Sequence, residues 1–158
     1  MKKINHELFG ELIYDGYWTG KQKITIFGHD KIVPLIIHGE EDDLCPTIQE
    51  ESYRKFSADI NRLTQEAEQA IFEYYQEECL EYRVMLGDES ADEIAPIITT
   101  TQQLGKLVDL IGLTILPDFE DGVRRVGLVF NCTWEEDGVG VRFENEEVAK
   151  VGYQDIVI

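Results

Sequence analysis

The chain has 158 residues, enough for one hydrophobic core and short for two. Its 43% apolar and 10% aromatic content, without low-complexity tract or internal repeat, excludes a disordered tail or a solenoid. Fourteen basic residues against 32 acidic ones give −18, spread along the chain, which argues against binding to nucleic acid or anionic lipid and favours encounter with a basic protein.

The start Met1-Lys2-Lys3 is basic, but Asn5, His6, Glu7 and Glu11 interrupt any apolar signal core, so a cytoplasmic protein is expected. Residues 8–38 read as a β-meander. Asp15-Gly16 is a favoured turn after a first strand over 8–14, and Tyr17-Trp18 starts the return. Ile24 and Ile26 alternate with polar neighbours, Gly28-His29-Asp30 turns the chain, and 32–37 is an apolar strand whose Pro34, lacking an N–H, predicts an edge or a bulge.

A helical region follows over 47–86. Thr47 and Glu50 have capping-box spacing after Cys45-Pro46, and apolar residues from Ile48 to Leu86 recur at steps of three and four. Glu50–Arg54 and Glu51–Lys55 are favourable i,i+4 pairs. A single helix of this length would be roughly 55–60 Å long, too long for the domain, so a break is expected near 57–61 with Ser57 or Asp59 as the second cap. Residues 87–98 are acidic and carry breakers, which predicts a loop.

From 99 onwards the pattern is a short helix followed by strands. Thr99-Thr100-Thr101 offers an N-cap for a helix near 102–108, and 110–116 reads as a strand ended by Pro117. The longest apolar region, Leu104 to Leu116, contains Lys106 and Asp109 and is too short to cross a bilayer. Val126, Leu128, Phe130, Cys132 and Trp134 share one face of the next strand; Val139, Val141 and Phe143 are the matching stripe, and Asn145-Glu146-Glu147 turns the chain again. Strands bracketing helices predict one α+β domain over 1–158, a largely antiparallel sheet from N- and C-terminal strands with the central helical segment packed on one face. Phe130, Phe143 and Trp134 should share its core with Phe56 and Ile71.

The chemistry-bearing residues are sparse. Cys45, Cys79 and Cys132 are too far apart for a Cys-x-x-Cys site and read as buried thiols without a disulfide. His6, His29 and His38 fit no zinc pattern, no glycine loop cradles phosphate, and no catalytic residue, metal or cofactor is assigned. The acids at the tip, Glu135, Glu136 and Asp137 beside Trp134, form one candidate partner-binding site; Glu66, Glu73, Glu77 and Glu81 on the second helix form another. Glu73, Glu77 and Glu81 repel one another at i,i+4, a cost that a partner's Lys or Arg would relieve. A solvated hairpin and a hydrated helix face explain the same letters.

Four short motifs carry a resemblance: Trp18-Thr19-Gly20, Pro46-Thr47-Ile48-Gln49, Trp134 through Gly140, and Gly152-Tyr153-Gln154-Asp155. In this order they resemble an uncharacterised bacterial domain family with a Trp-acid-acid-x-Gly-x-Gly hairpin. That family usually has His where this chain has Asp137, so no imidazole role carries over to the tip. The resemblance extends to small acidic proteins of toxin–immunity loci. It implies a non-enzymatic acidic protein-binding domain, an immunity protein that sequesters a basic toxin domain. The alternative is a carboxylate-based hydrolase or a small-ligand-binding domain with an acidic pocket.

Overall fold

The computed structural model describes residues 2–43 and 47–158. Four strands open the fold: β1 (Lys3–His6), β2 (Gly10–Tyr14), β3 (Trp18–Ile26) and β4 (His29–Ile37). Four helices follow, α1 (Thr47–Ala58), α2 (Ile60–Leu86), α3 (Asp88–Ile94) and α4 (Thr101–Leu104). The chain then returns to strands β5 (Val108–Ile115), β6 (Arg125–Cys132), β7 (Val139–Glu144) and β8 (Glu147–Gly152), and ends in a 3₁₀ helix, Gln154–Val157.

All eight strands form one sheet in sequential order, antiparallel at every junction except β4–β5, where Leu35, Ile36 and Ile37 run parallel to Leu113, Thr114 and Ile115. Parallel neighbours cannot be joined by a tight turn and need a crossover long enough to return the chain to its starting end. The helical segment is that crossover. This is the single α+β domain that strand periods bracketing a helix period predict.

The helices cover one face of the sheet. On α2, Leu63, Ala67, Ile71, Tyr75, Cys79 and Tyr82 are buried, and they meet sheet residues Trp18, Ile24, Leu35, Leu113, Leu128, Phe130 and Val141 in one core. Phe56 packs edge-on against Phe143 at 5.4 Å between ring centroids, and Tyr75 against Trp134 at 4.6 Å. Each fully buried large apolar side chain contributes about 1.5–3 kcal/mol, so this interface is the main stabilising element. The opposite face of β6 and β7 is covered by the 3₁₀ helix. A Cβ on Gly127 would collide with Val157, and one on Gly140 would stand 2.9 Å from both Val157 Cγ2 and the Tyr153 carbonyl.

The helix break falls at Asp59, inside the expected interval. Its carbonyl accepts from Leu63 N at 3.0 Å, but its carboxylate turns to Arg62 at 3.2 Å and caps nothing. Thr47 is the first residue of α1, and Glu50, expected in a capping box, lies 3.9 Å from both His6 and Arg54. Cys45 and Pro46 lie outside the described residues. Of the three threonines offered as an N-cap, Thr100 serves, for a helix over Thr101–Leu104, and it forms a full capping box: Thr100 Oγ1 accepts from Gln103 N at 3.3 Å and Gln103 Oε1 from Thr100 N at 3.0 Å.

Four expectations need correction. The meander begins earlier, with β1 pairing β2. Its second turn is the two-residue loop Phe27-Gly28, with φ of 51° and 77°, not Gly28-His29-Asp30; the twist of the flanking strands favours such left-handed pairs. Pro34 sits in an interior strand instead of an edge, tolerated because it faces Lys21 in β3 while the parallel ladder with β5 starts one residue later, at Leu35. Finally, 87–98 is not all loop. Asp88 and Glu89 lie in the first turn of α3, where acids interact favourably with the helix dipole, and Ala91 is buried.

Candidate functional site

The β6–β7 hairpin is tied together up to its tip. Phe130 pairs with Val139, and the turn closes through Gly138 N donating to Glu135 O at 3.1 Å, with Gly138 at φ 63°. Trp134, assigned to partner contact from the sequence, is only 5% exposed and lies against Tyr75, so it supports the tip from below instead of presenting a surface. Glu135 is half-buried, and its Oε2 accepts from Tyr82 OH at 3.1 Å. Glu136 and Asp137 are exposed.

Titration at this end of the molecule follows from burial. Desolvation, with hydrogen bonding to Tyr153 and Glu135, holds the Tyr82 phenol well above its ordinary range. Burial, aided by Glu78, pushes Tyr74 up to about 12. Burial pushes the Cys132 thiol up to about 11, against hydrogen bonds that favour its thiolate. At neutral pH Tyr82 therefore remains a donor to Glu135, and Cys132 lacks the thiolate character that nucleophilic chemistry needs.

The helix stripe divides in two. Glu66 is half-buried and bound by Arg62 at 3.0 Å, so its charge is already answered within the chain. Glu73, Glu77 and Glu81 are exposed, and Glu73 accepts from Gln69 Nε2 at 3.3 Å. Glu81 borders a groove of about 530 Å³ together with Tyr82 and Tyr153. Tyr153 also borders a hollow of about 280 Å³ with Glu136, Asp137 and Asp155. Tyr82 and Tyr153 thus join the hairpin tip to the far half of the helix stripe, while Glu66 belongs to another region. Sequence reasoning missed Tyr153 and Asp155 as neighbours of the tip; their place in the final Gly-x-x-Asp motif was the available signal.

Other hollows carry less chemistry. One of about 670 Å³ on β2 and β3 is bordered by Glu11, Asp15 and Lys21. Another of about 410 Å³, beyond the C-terminal ends of β4 and β5, is bordered by His38, Glu40, Asp43 and Gln49, and burial lowers the pKa of His38. Among the described residues no group of three or more His, Cys, Asp or Glu is arranged to hold a metal ion. Cys79 and Cys132 are free thiols; Cys45 lies outside the described residues. Among the described residues no helix is long and apolar enough to cross a membrane.

The short motifs around Trp18, Gln49 and Gly152–Asp155 are explained by packing. Trp18 Nε1 donates to Glu40 O at 3.1 Å and Gln49 Nε2 to His38 O at 2.8 Å, so both anchor the link after β4. Gln154 Nε2 donates to Phe130 O at 2.7 Å and Gln154 N to Asp137 O at 3.0 Å, clasping the 3₁₀ helix to the hairpin whose glycines make room for it. No curated protein and no solved structure matches the chain. A model of the domain of unknown function DUF6985 matches residues 8–158, and the chain belongs to that family.

Proposed function

We propose that the protein is a non-enzymatic, acidic protein-binding domain that captures a basic partner, in the manner of an immunity protein sequestering a basic toxin domain. The observation that carries this reading is the meeting of exposed Glu81, Glu136 and Asp137 around Tyr82 and Tyr153, in a chain of net charge −18. Carboxylates arrayed on an exposed face can meet Lys and Arg without any reaction step, and a field of this sign speeds encounter with cationic proteins. Such a surface opposes the basic cleft of an enzyme that acts on an anionic substrate.

A basic partner, sought first among proteins encoded beside this one, should associate more slowly as salt rises and the screening length shortens to about 8 Å at physiological ionic strength. Charge reversal at the exposed Glu136 and Asp137, or at Glu73 and Glu77, should weaken binding and leave the circular dichroism spectrum unchanged.

The second reading is a carboxylate-based hydrolase or small-ligand domain, favoured by the hollow that Glu136, Asp137 and Asp155 share. Turnover of a small substrate abolished by a single carboxylate change, with no basic partner recovered, would overturn the first reading in favour of the second.

A further inference from the structure

Beside these acids the last turns of α2 expose apolar side chains that electrostatic capture does not require. Leu80 is 67% exposed, Val84 82% and Met85 74%. With Tyr153 they border the 530 Å³ groove, whose rim carries Glu78 and Glu81. At about 100° per residue, Leu80 and Val84 share the outward face with Glu77 and Glu81, opposite the buried Tyr75, Cys79 and Tyr82. Met85 lies about 100° further round, beyond Glu81. A lone exposed apolar residue is ordinary. Three within two turns of one helix, beside an aromatic ring and interleaved with acids, form a surface with the composition of a contact site.

Resting on the reading of the protein as a binder of basic partners, we propose that this groove seats an amphipathic basic helix of the partner. Its apolar stripe would cover Leu80, Val84 and Met85, and its Lys and Arg side chains would reach Glu77, Glu78, Glu81 and Glu136. Helix-in-groove docking uses apolar anchors at i, i+3 and i+4, and the unbranched Met85 adapts to the shape of such anchors. Charge selects this occupant over two others. A second copy would bring the same carboxylates face to face across a twofold contact, and an anionic membrane would be repelled by the same rim.

The test uses the isotope-labelled 158-residue chain and two synthetic peptides of equal positive charge: an amphipathic Leu/Lys helix and an oligolysine. The amphipathic helix should bind more tightly, with chemical-shift changes concentrated at 77–85 and 153. Val84→Asp and Met85→Asp, both at exposed positions, should each weaken it about tenfold, the loss typical of an interface anchor, without weakening oligolysine. If the amphipathic helix binds no tighter than oligolysine, or shifts residues elsewhere, the groove assignment is overturned while the acidic-capture reading stands. If neither peptide binds at low salt, both readings are overturned.

Discussion

At the scale of single residues, Gly138 and Gly16 both hold a left-handed backbone, with φ of 63° and 81°, and differ in what surrounds them. A Cβ on Gly138 would collide with the Gln154 amide and the Phe130 carbonyl, groups far apart in the chain and brought together only by the fold. Gly138→Ala should therefore cost about 2–4 kcal/mol, combining a left-handed backbone with overpacking. Gly16→Ala is the control: φ is 81° but nothing lies within 4 Å, so its cost should be only about 1 kcal/mol. Urea unfolding of both variants measures the difference, and equal losses would mean that the clasp by Gln154 contributes nothing. Local turn chemistry makes the positive φ of Gly138 legible but not its crowding, and Trp134 shows the same limit. Its alternation with Phe130 and Cys132 marks the core face, yet its place beside three acids also suggests a surface anchor, and only the ring of Tyr75 decides between them.

At the scale of elements, the strongly periodic segments were legible: α2 and the β6–β7 pair follow from spacing, and the break between helices from the length of the periodic run. The parallel junction was not, because nothing local in residues 35–37 or 113–115 states which strand each will meet. Helix α3 was missed for a different reason. Its sequence DESADEI has four acids and one buried side chain, Ala91, so no apolar stripe announces it. Its order comes from neighbours: Arg83 Nη2 binds Asp92 at 2.7 Å and Nη1 donates to Ala95 O at 2.9 Å, while Thr133 Oγ1 donates to Ile94 O at 2.7 Å. A short acidic helix held in this way should open without global unfolding. Arg83→Ala is expected to speed amide exchange across 88–95 and, through Thr133, at the hairpin tip, while leaving exchange in β3 and β6 unchanged. Uniform acceleration over the whole chain would show that α3 is not an independent unit.

At the scale of the whole molecule, −18 acts on stability and on binding with opposite signs. Thirty-two acids against 14 bases leave most carboxylates without an opposite charge, and their mutual repulsion disfavours the compact state. Close pairs such as Arg124–Glu146, at 2.8 Å and with both side chains largely shielded, are screened less than this diffuse repulsion. Raising ionic strength from about 0.01 M, where the screening length is about 30 Å, to about 0.15 M should therefore raise the melting temperature by a few degrees. The same change should weaken capture of a basic partner. Glu77 allows both effects to be read at one residue, since it stands four positions from Glu73 and from Glu81 and all three are exposed. Glu77→Lys replaces two repulsive pairs with two attractive ones, worth roughly 0.2–0.5 kcal/mol for each repulsion removed and a similar amount for each attraction gained. Thermal melts at low salt should show the variant to be more stable than the parent, while titration against a basic partner shows it to be the weaker binder. A variant both more stable and equally competent would mean that the helix face takes no part in capture, and that Glu73, Glu77 and Glu81 are a hydrated surface and nothing more.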